Sequence, residues 1–270
     1  MDPVSVAVPL SKLQVYVVAG GLAISRTLGL MIIVPTFTRL GLTPLIRGAI
    51  AFLFGLPLIP MIVGTISPDH LPVGTIAVLV FKEVVVGIVV GLVIGVPLWA
   101  AEAAGDVLDL QRGSSIATVI DPTSANDANI TGTLFELTMI ALYFGSGGLL
   151  LTIRTIYDSY GVWPVGRFLP LFSEEAGGLF LALLDDVVKI GLMLVAPIVV
   201  CLLLSDLLLS LISRAAPNLH VFDLSLSVKN LVFSLLLVLY VAFLVGYMRQ
   251  DLGRLLDSGP ALEAIAPRTH

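Results

Sequence analysis

The sequence predicts an all-α, polytopic membrane protein built from long, kinked helical hairpins. Three observations carry this. Of the 270 residues, 57% are hydrophobic and only 12% charged, against roughly 25% charged in soluble domains. The mean hydropathy is +1.06, more apolar surface than a water-soluble core of this length hides. Apolar runs also recur along the chain at about the twenty-residue length that crosses a bilayer as helix.

Six such runs appear, over 13–34, 45–66, 73–99, 134–153, 187–212 and 231–247. With six spans, the side holding both termini collects Lys12, Arg154, Arg167, Arg249, Arg254 and Arg268, and the other side Arg39, Arg47, Arg112 and Arg214. That excess puts both termini in the cytoplasm. Pro57, Pro60, Pro97 and Pro197 are expected to break or kink their helices. Such breaks survive at membrane depth only where protein or a cavity covers the freed backbone. The N-terminus lacks the basic region and cleavage pattern of a signal peptide. The single cysteine, Cys201, excludes an internal disulfide or a cysteine-based metal site and reads as a packing residue. A net charge of −5 argues against a nucleic-acid partner.

Charges interrupt the apolar runs. A charge at the bilayer centre costs about 2.5–3.5 kcal/mol on insertion scales. Glu136 and Lys189 stand near segment ends, where they are expected to reach the interface. Arg26 and Asp206 lie deeper, and Lys82 and Glu83 interrupt the third run, so an interior or a subunit interface is expected to receive them. Much of the apolar surface is therefore expected to lie against other subunits.

The stretch from Lys82 to Pro122 holds the densest information. Gly87, Gly91 and Gly95 recur every four residues on one helical face, where a neighbouring helix can approach closely. That neighbour is either another part of the chain or another subunit. Glu102, Asp106 and Asp109 follow at i, i+4 and i+7, on one side of a continuing helix, with Arg112 within ion-pair reach of Asp109. Glu102, Asp106, Asp109 and Arg112 are expected to belong to a charged interior or subunit interface; the plainer alternative is a solvated helix end with a local salt bridge, and three carboxylates can also bind a metal or relay protons. Metal binding is disfavoured because His70, His220 and His270 all lie outside the spans. A long polar loop rich in small residues comes next: Gly113, Ser114, Ser115, Ile116, Ala117, Thr118, Val119, Ile120, Asp121, Pro122 and on through Asn126. Loops of this length without structure of their own are usually functional or disordered. Ile116, Val119 and Ile120 favour a re-entrant or pore-facing loop.

No nucleotide-binding glycine loop is present. Gly145-Ser146-Gly147 lacks a later intramembrane histidine to activate the serine. No enzymatic chemistry, cofactor or metal is expected. A secondary transporter of a small solute, using broken helices and buried charges, is the alternative reading, although no inverted repeat is visible.

The run PLWAAEAAGDVLDLQRG leading to Asp121-Pro122 resembles the T subunit of the type III secretion export apparatus, the SctT/FliR family, homologous to the flagellar biosynthesis protein FliR. SYGVWPVG at 159–166 is similar to the family's short aromatic-proline segment, and the order of apolar runs agrees over nearly the whole chain. Gln111-Arg112-Gly113 is closer to the injectisome branch than to the flagellar one.

The resemblance implies a subunit of a helical, hetero-oligomeric export gate in the bacterial inner membrane. Part of that gate is lifted to the periplasmic side and buried between subunits. The implied partners are subunit R (five copies), subunit S (four copies), subunit U, the large ring subunit V, unfolded secreted proteins and membrane lipid. The resemblance further implies an R-like part over 1–185 that includes a plug loop at 113–129. An S-like hairpin over 186–248, made of helices 186–212 and 228–247, and a polar tail over 249–270 complete the implied division.

Overall fold

The computed structural model describes residues 3–65, 72–113, 129–168, 176–215 and 221–256, and all regular structure among them is helical. In chain order the helices are α1 (Pro3–Ile33), α2 (Pro35–Thr38), α3 (Pro44–Gly55), a 3-10 turn (Leu56–Leu58), α4 (Ile59–Thr65) and α5 (Val73–Arg112). They continue with α6 (Ile130–Gly145), α7 (Gly148–Val162), α8 (Ala176–Ala215) and α9 (Val221–Leu256).

Proline and glycine set the breaks. Pro35 opens α2 directly after α1. Thr43 caps α3, its hydroxyl accepting from the Ile46 amide, with Pro44 in the first helical position where a missing N–H costs nothing. Pro57 falls in the 3-10 turn, while Pro97 and Pro197 stay inside the continuous helices α5 and α8.

Five helices or helical runs are long and apolar enough to cross a membrane: Leu13–Ile33, Pro44–Thr65, Val73–Arg112, Ala176–Ala215 and Leu224–Gly253. Together α6 and α7 form a sixth, broken candidate. The sequence reads 134–153 as one unbroken run. The break comes at Ser146 and Gly147, whose backbone takes a left-handed φ of 85° that glycine adopts without steric cost. Helix α9 continues to Leu256, with Met248 and Leu252 buried.

The chain divides into two compact units. The first gathers the described residues of Met1–Gly95 and Gly147–Leu183. Here α1 contacts α3 and α4, and its backbone lies against α5. A Cβ on Gly87 would collide with the Arg26 carbonyl, and one on Gly91 with Ile33 and, at 3.1 Å, the Leu30 carbonyl. Gly29 on α1 answers them, facing the Val84 backbone. Gly87 and Gly91 thus take a partner within their own chain. Gly95 is also buried.

The second unit gathers Val96–Ser146 and Leu184–Leu255. Its centre is the small-residue stretch of α5. A Cβ on Gly191 of α8 would stand 2.9 Å from the Ala100 carbonyl and 3.6 Å from the Ala103 methyl. Gly105 meets the backbone of Thr131 and Gly132 at the start of α6, at 2.5 Å for an added Cβ. The two faces of Ala-Ala-Glu-Ala-Ala-Gly therefore receive different helices, because only small side chains admit backbones this close. Leu98, Leu108, Phe135, Met139, Tyr143, Leu194, Ile198 and Leu202 are all buried within this unit.

Candidate functional site

Two polar constellations stand out, one in each unit. In the second unit, the end of α5 and the start of α6 are clasped together where they bracket segment 113–129. Asp109, 1% exposed, accepts from the Thr131 amide at 2.9 Å and the Gly132 amide at 3.4 Å through Oδ2. The first amides of a helix have no intrahelical acceptor, and Asn129, the residue in the capping position, supplies no side-chain bond. Asp109 supplies that cap from α5, where its charge also favours the positive end of the α6 dipole.

The other carboxylate oxygen, Oδ1, lies 2.6 Å from Arg112 Nη2 and accepts from Arg112 Nε at 2.9 Å. The Arg112 guanidinium rests over the Phe233 ring of α9, 4.8 Å from its centroid. Gly113 then ends α5 in a left-handed conformation, φ 80°. Asp109 is thus the remote cap, Arg112 its charge partner and Gly113 the helix stop.

Glu102 and Asp106 continue the same helix and are half-buried. The Asp106 carboxylate lies where a Cβ on Gly132 would collide with it. Glu136, expected to reach the interface, is instead 1% exposed inside the protein. Packing of α6 onto this unit buries what hydropathy alone assigns to a span end. Lys189 is exposed, and Asp206 pairs with Lys229 at 2.7 Å. Among the described residues, no group of three His, Cys, Asp or Glu side chains could hold a metal ion. Ser114, Ser115, Ile116, Ala117, Thr118, Val119, Ile120, Asp121, Pro122 and Asn126 lie outside the described residues.

The second constellation lies in the first unit and is fully buried. Arg26 of α1 donates through Nε to Glu83 Oε2 at 2.6 Å, through Nη1 to Ser159 Oγ at 2.9 Å and through Nη2 to the Trp163 carbonyl at 2.8 Å. Its guanidinium carbon sits 3.6 Å from the centroid of Tyr160. Lys82 donates to the Pro164 and Val165 carbonyls at 2.9 and 3.3 Å. Its Nζ lies 2.6 Å from Glu83 Oε1.

Two cations thus face one carboxylate, and the carbonyls just past the end of α7 stabilise the excess positive charge. Lysine and arginine are favoured at that end of a helix dipole. Residues 159–166, the aromatic-proline segment, fold onto this cluster: Ser159, Tyr160 and Trp163 are buried around Arg26. Sequence reading identifies Arg26, Lys82 and Glu83 but misses their partners in this segment. It likewise misses Gly105, Gly132 and Lys229. The small-residue run before Asp106 carries a signal for Gly105, whereas Lys229 has none.

The chain matches the family described as bacterial export proteins, family 1, over residues 17–255. It is 35% identical over 166 residues to the Yop proteins translocation protein T of Yersinia pestis, covering 62% of this chain and 64% of that protein. With the secretion system apparatus protein SsaT of Salmonella typhimurium it shares 29% identity over 234 residues, 84% of this chain and 88% of the relative. The flagellar biosynthetic protein FliR of Bacillus subtilis is 31% identical over 173 residues, 63% and 66% of the two lengths.

Proposed function

The chain belongs to the bacterial export proteins, family 1, and from that membership we propose that it is a non-enzymatic subunit of a type III protein export apparatus. On this reading it sits in the bacterial inner membrane, with part of the assembly on the periplasmic side. It closes a channel-forming ring with five R and four S subunits, associates with subunits U and V, and contributes segment 113–129 as a plug that gates the passage of unfolded proteins. Residues 1–185 correspond to an R-like part and 186–248 to an S-like hairpin. The higher identity with the Yersinia translocation protein than with the flagellar relative favours the injectisome branch.

The observation that carries the reading is the Asp109 clasp. The helices on either side of segment 113–129 are tied together by a buried carboxylate, Arg112 and backbone-to-backbone glycine contact. The apolar exteriors support the partner assignments. Within the chain about a quarter of the apolar stretch of α8 and less than a fifth of that of α9 are buried, against about half in α1 and α5. Those faces are left for lipid and for neighbouring subunits.

The experiment is a deletion within 114–126, leaving the clasp residues in place. The complex is expected to assemble while the cells become leaky to small ions. Unchanged membrane permeability in that strain removes the plug assignment. Purification tests the partners: the chain is expected to co-purify with several different membrane proteins, whereas recovery as a lone monomer removes the export-gate reading.

A further inference from the structure

Lys229 occupies a junction of three helices. It lies on α9, its Nζ is 2.7 Å from Asp206 Oδ1 of α8, and it donates to the Gln111 carbonyl of α5 at 3.3 Å. That carbonyl belongs to the last turn of α5, where carbonyls have no intrahelical donor and a cation is favoured by the dipole. An ion pair inside a hairpin needs only two helices, and the third contact reaches out of the hairpin. Four residues on, and so on the same face of α9, Phe233 carries the Arg112 guanidinium on its ring. One face of α9 therefore grips the turn of α5 that bears Asp109 and Arg112. Nothing in the local sequence pattern marks Lys229 for this position.

We propose that Lys229 is a positioning residue that fastens the α8–α9 hairpin to the last turn of α5 and thereby sets the geometry of the Asp109 clasp on α6. A shift of the hairpin draws on Gln111 through Lys229 and on Arg112 through Phe233. The Asp109 carboxylate, tied to Arg112, moves with that turn, and its bonds to the Thr131 and Gly132 amides weaken. Strain on the hairpin is transmitted in this way to both ends of segment 113–129. The consequence for permeation rests on the plug reading above, while the fastening itself does not.

The test is amide hydrogen exchange at Thr131 and Gly132 in the full chain, purified from native membranes with whatever accompanies it. Lys229→Met is expected to raise exchange at those two amides roughly tenfold, the size of one lost charge-assisted hydrogen bond. Asp206→Asn, which keeps the bond to Gln111, is expected to raise it less. Lys229→Arg, long enough to reach both acceptors, is expected to restore it to within about twofold of the parent. Unchanged protection in Lys229→Met overturns the proposal, as does failure of Lys229→Arg to restore it. Should Lys229→Met not accumulate, Phe233→Leu probes the other contact of the same face. It is expected to raise exchange a few-fold, and unchanged protection there also overturns the proposal. Raised exchange without an ion leak supports the fastening and counts against the plug.

Discussion

Replacing Glu83 by glutamine removes the only carboxylate of the Arg26–Lys82–Glu83 cluster without changing its shape. Each Glu83 oxygen faces a cation at 2.6 Å, and the side chains of Arg26, Lys82 and Glu83 are at most 2% exposed. Solvent screening therefore gives no relief, and among the described residues the two buried cations are left with carbonyls, the Ser159 hydroxyl and a tyrosine face, all of them neutral. Breaking a buried pair by removing one partner costs about 3–5 kcal/mol, roughly a hundred- to several-thousandfold in the folded-to-unfolded ratio.

Lys82→Met acts in the opposite electrostatic direction. It leaves a neutral Arg26–Glu83 pair and forfeits the 2.6 Å contact with Glu83 as well as the bonds to Pro164 and Val165; relief of the repulsion between Lys82 and Arg26 offsets the lost ion contact, leaving a loss of about 1–2 kcal/mol. The double variant Lys82→Met/Glu83→Gln is then expected to be less damaged than the sum of the singles, with a coupling of about 1–3 kcal/mol. The assay is denaturation in mixed micelles followed by tryptophan fluorescence. Trp163, whose carbonyl is held by Arg26, is buried beside the cluster and reports on it directly. Stability of Glu83→Gln within about 0.5 kcal/mol of the parent, or strict additivity in the double variant, would show that the cluster is not held by its charge balance.

Three further outcomes are expected. Gly105→Val is expected to abolish accumulation of folded protein, because any Cβ there stands 2.5 Å from the Gly132 backbone, and helix backbones give way far less readily than a side chain; normal yield on a membrane-fraction blot would contradict the clasp. Gly91→Leu is expected to lower the yield of the chain itself and not only of its complexes, since the collision is with Leu30 and Ile33 of α1; full chain yield with complex loss alone would assign that glycine to another subunit. Asp109→Asn is expected to destabilise by about 1–3 kcal/mol, losing the Arg112 ion pair while keeping an acceptor for Thr131. Asp109→Ala is expected to cost more, and equal losses in the two would leave the remote cap without weight.

Hydropathy makes the long helices legible, because twenty or more apolar residues leave the backbone no alternative to internal hydrogen bonding in a bilayer. Helix ends are less so. The 134–153 run reads as continuous, yet one left-handed glycine at 147 divides it, and the extent of α9 past 249 depends on Met248 and Leu252 finding a packed surface. The functional residues divide in the same way. Asp109 and Arg112 are three apart in sequence, so helix geometry anticipates their pairing. The acceptance from Thr131 and Gly132 spans 22 and 23 residues, and Arg26 meets Ser159 across 133. No local periodicity encodes such distances.

Composition and periodicity alone settle that this is a helical membrane protein carrying charges that require shelter, since both follow from the free energy of moving each residue type out of water. Which groups shelter which is decided in three dimensions. Glu83 serves Arg26 and Lys82, Asp109 caps a helix other than its own, and Lys229 ties three helices, because close glycine and alanine contacts bring those backbones within reach. The strength of a buried charge contact depends on its partner's distance and on how much water is excluded, and both quantities exist only once the helices have packed.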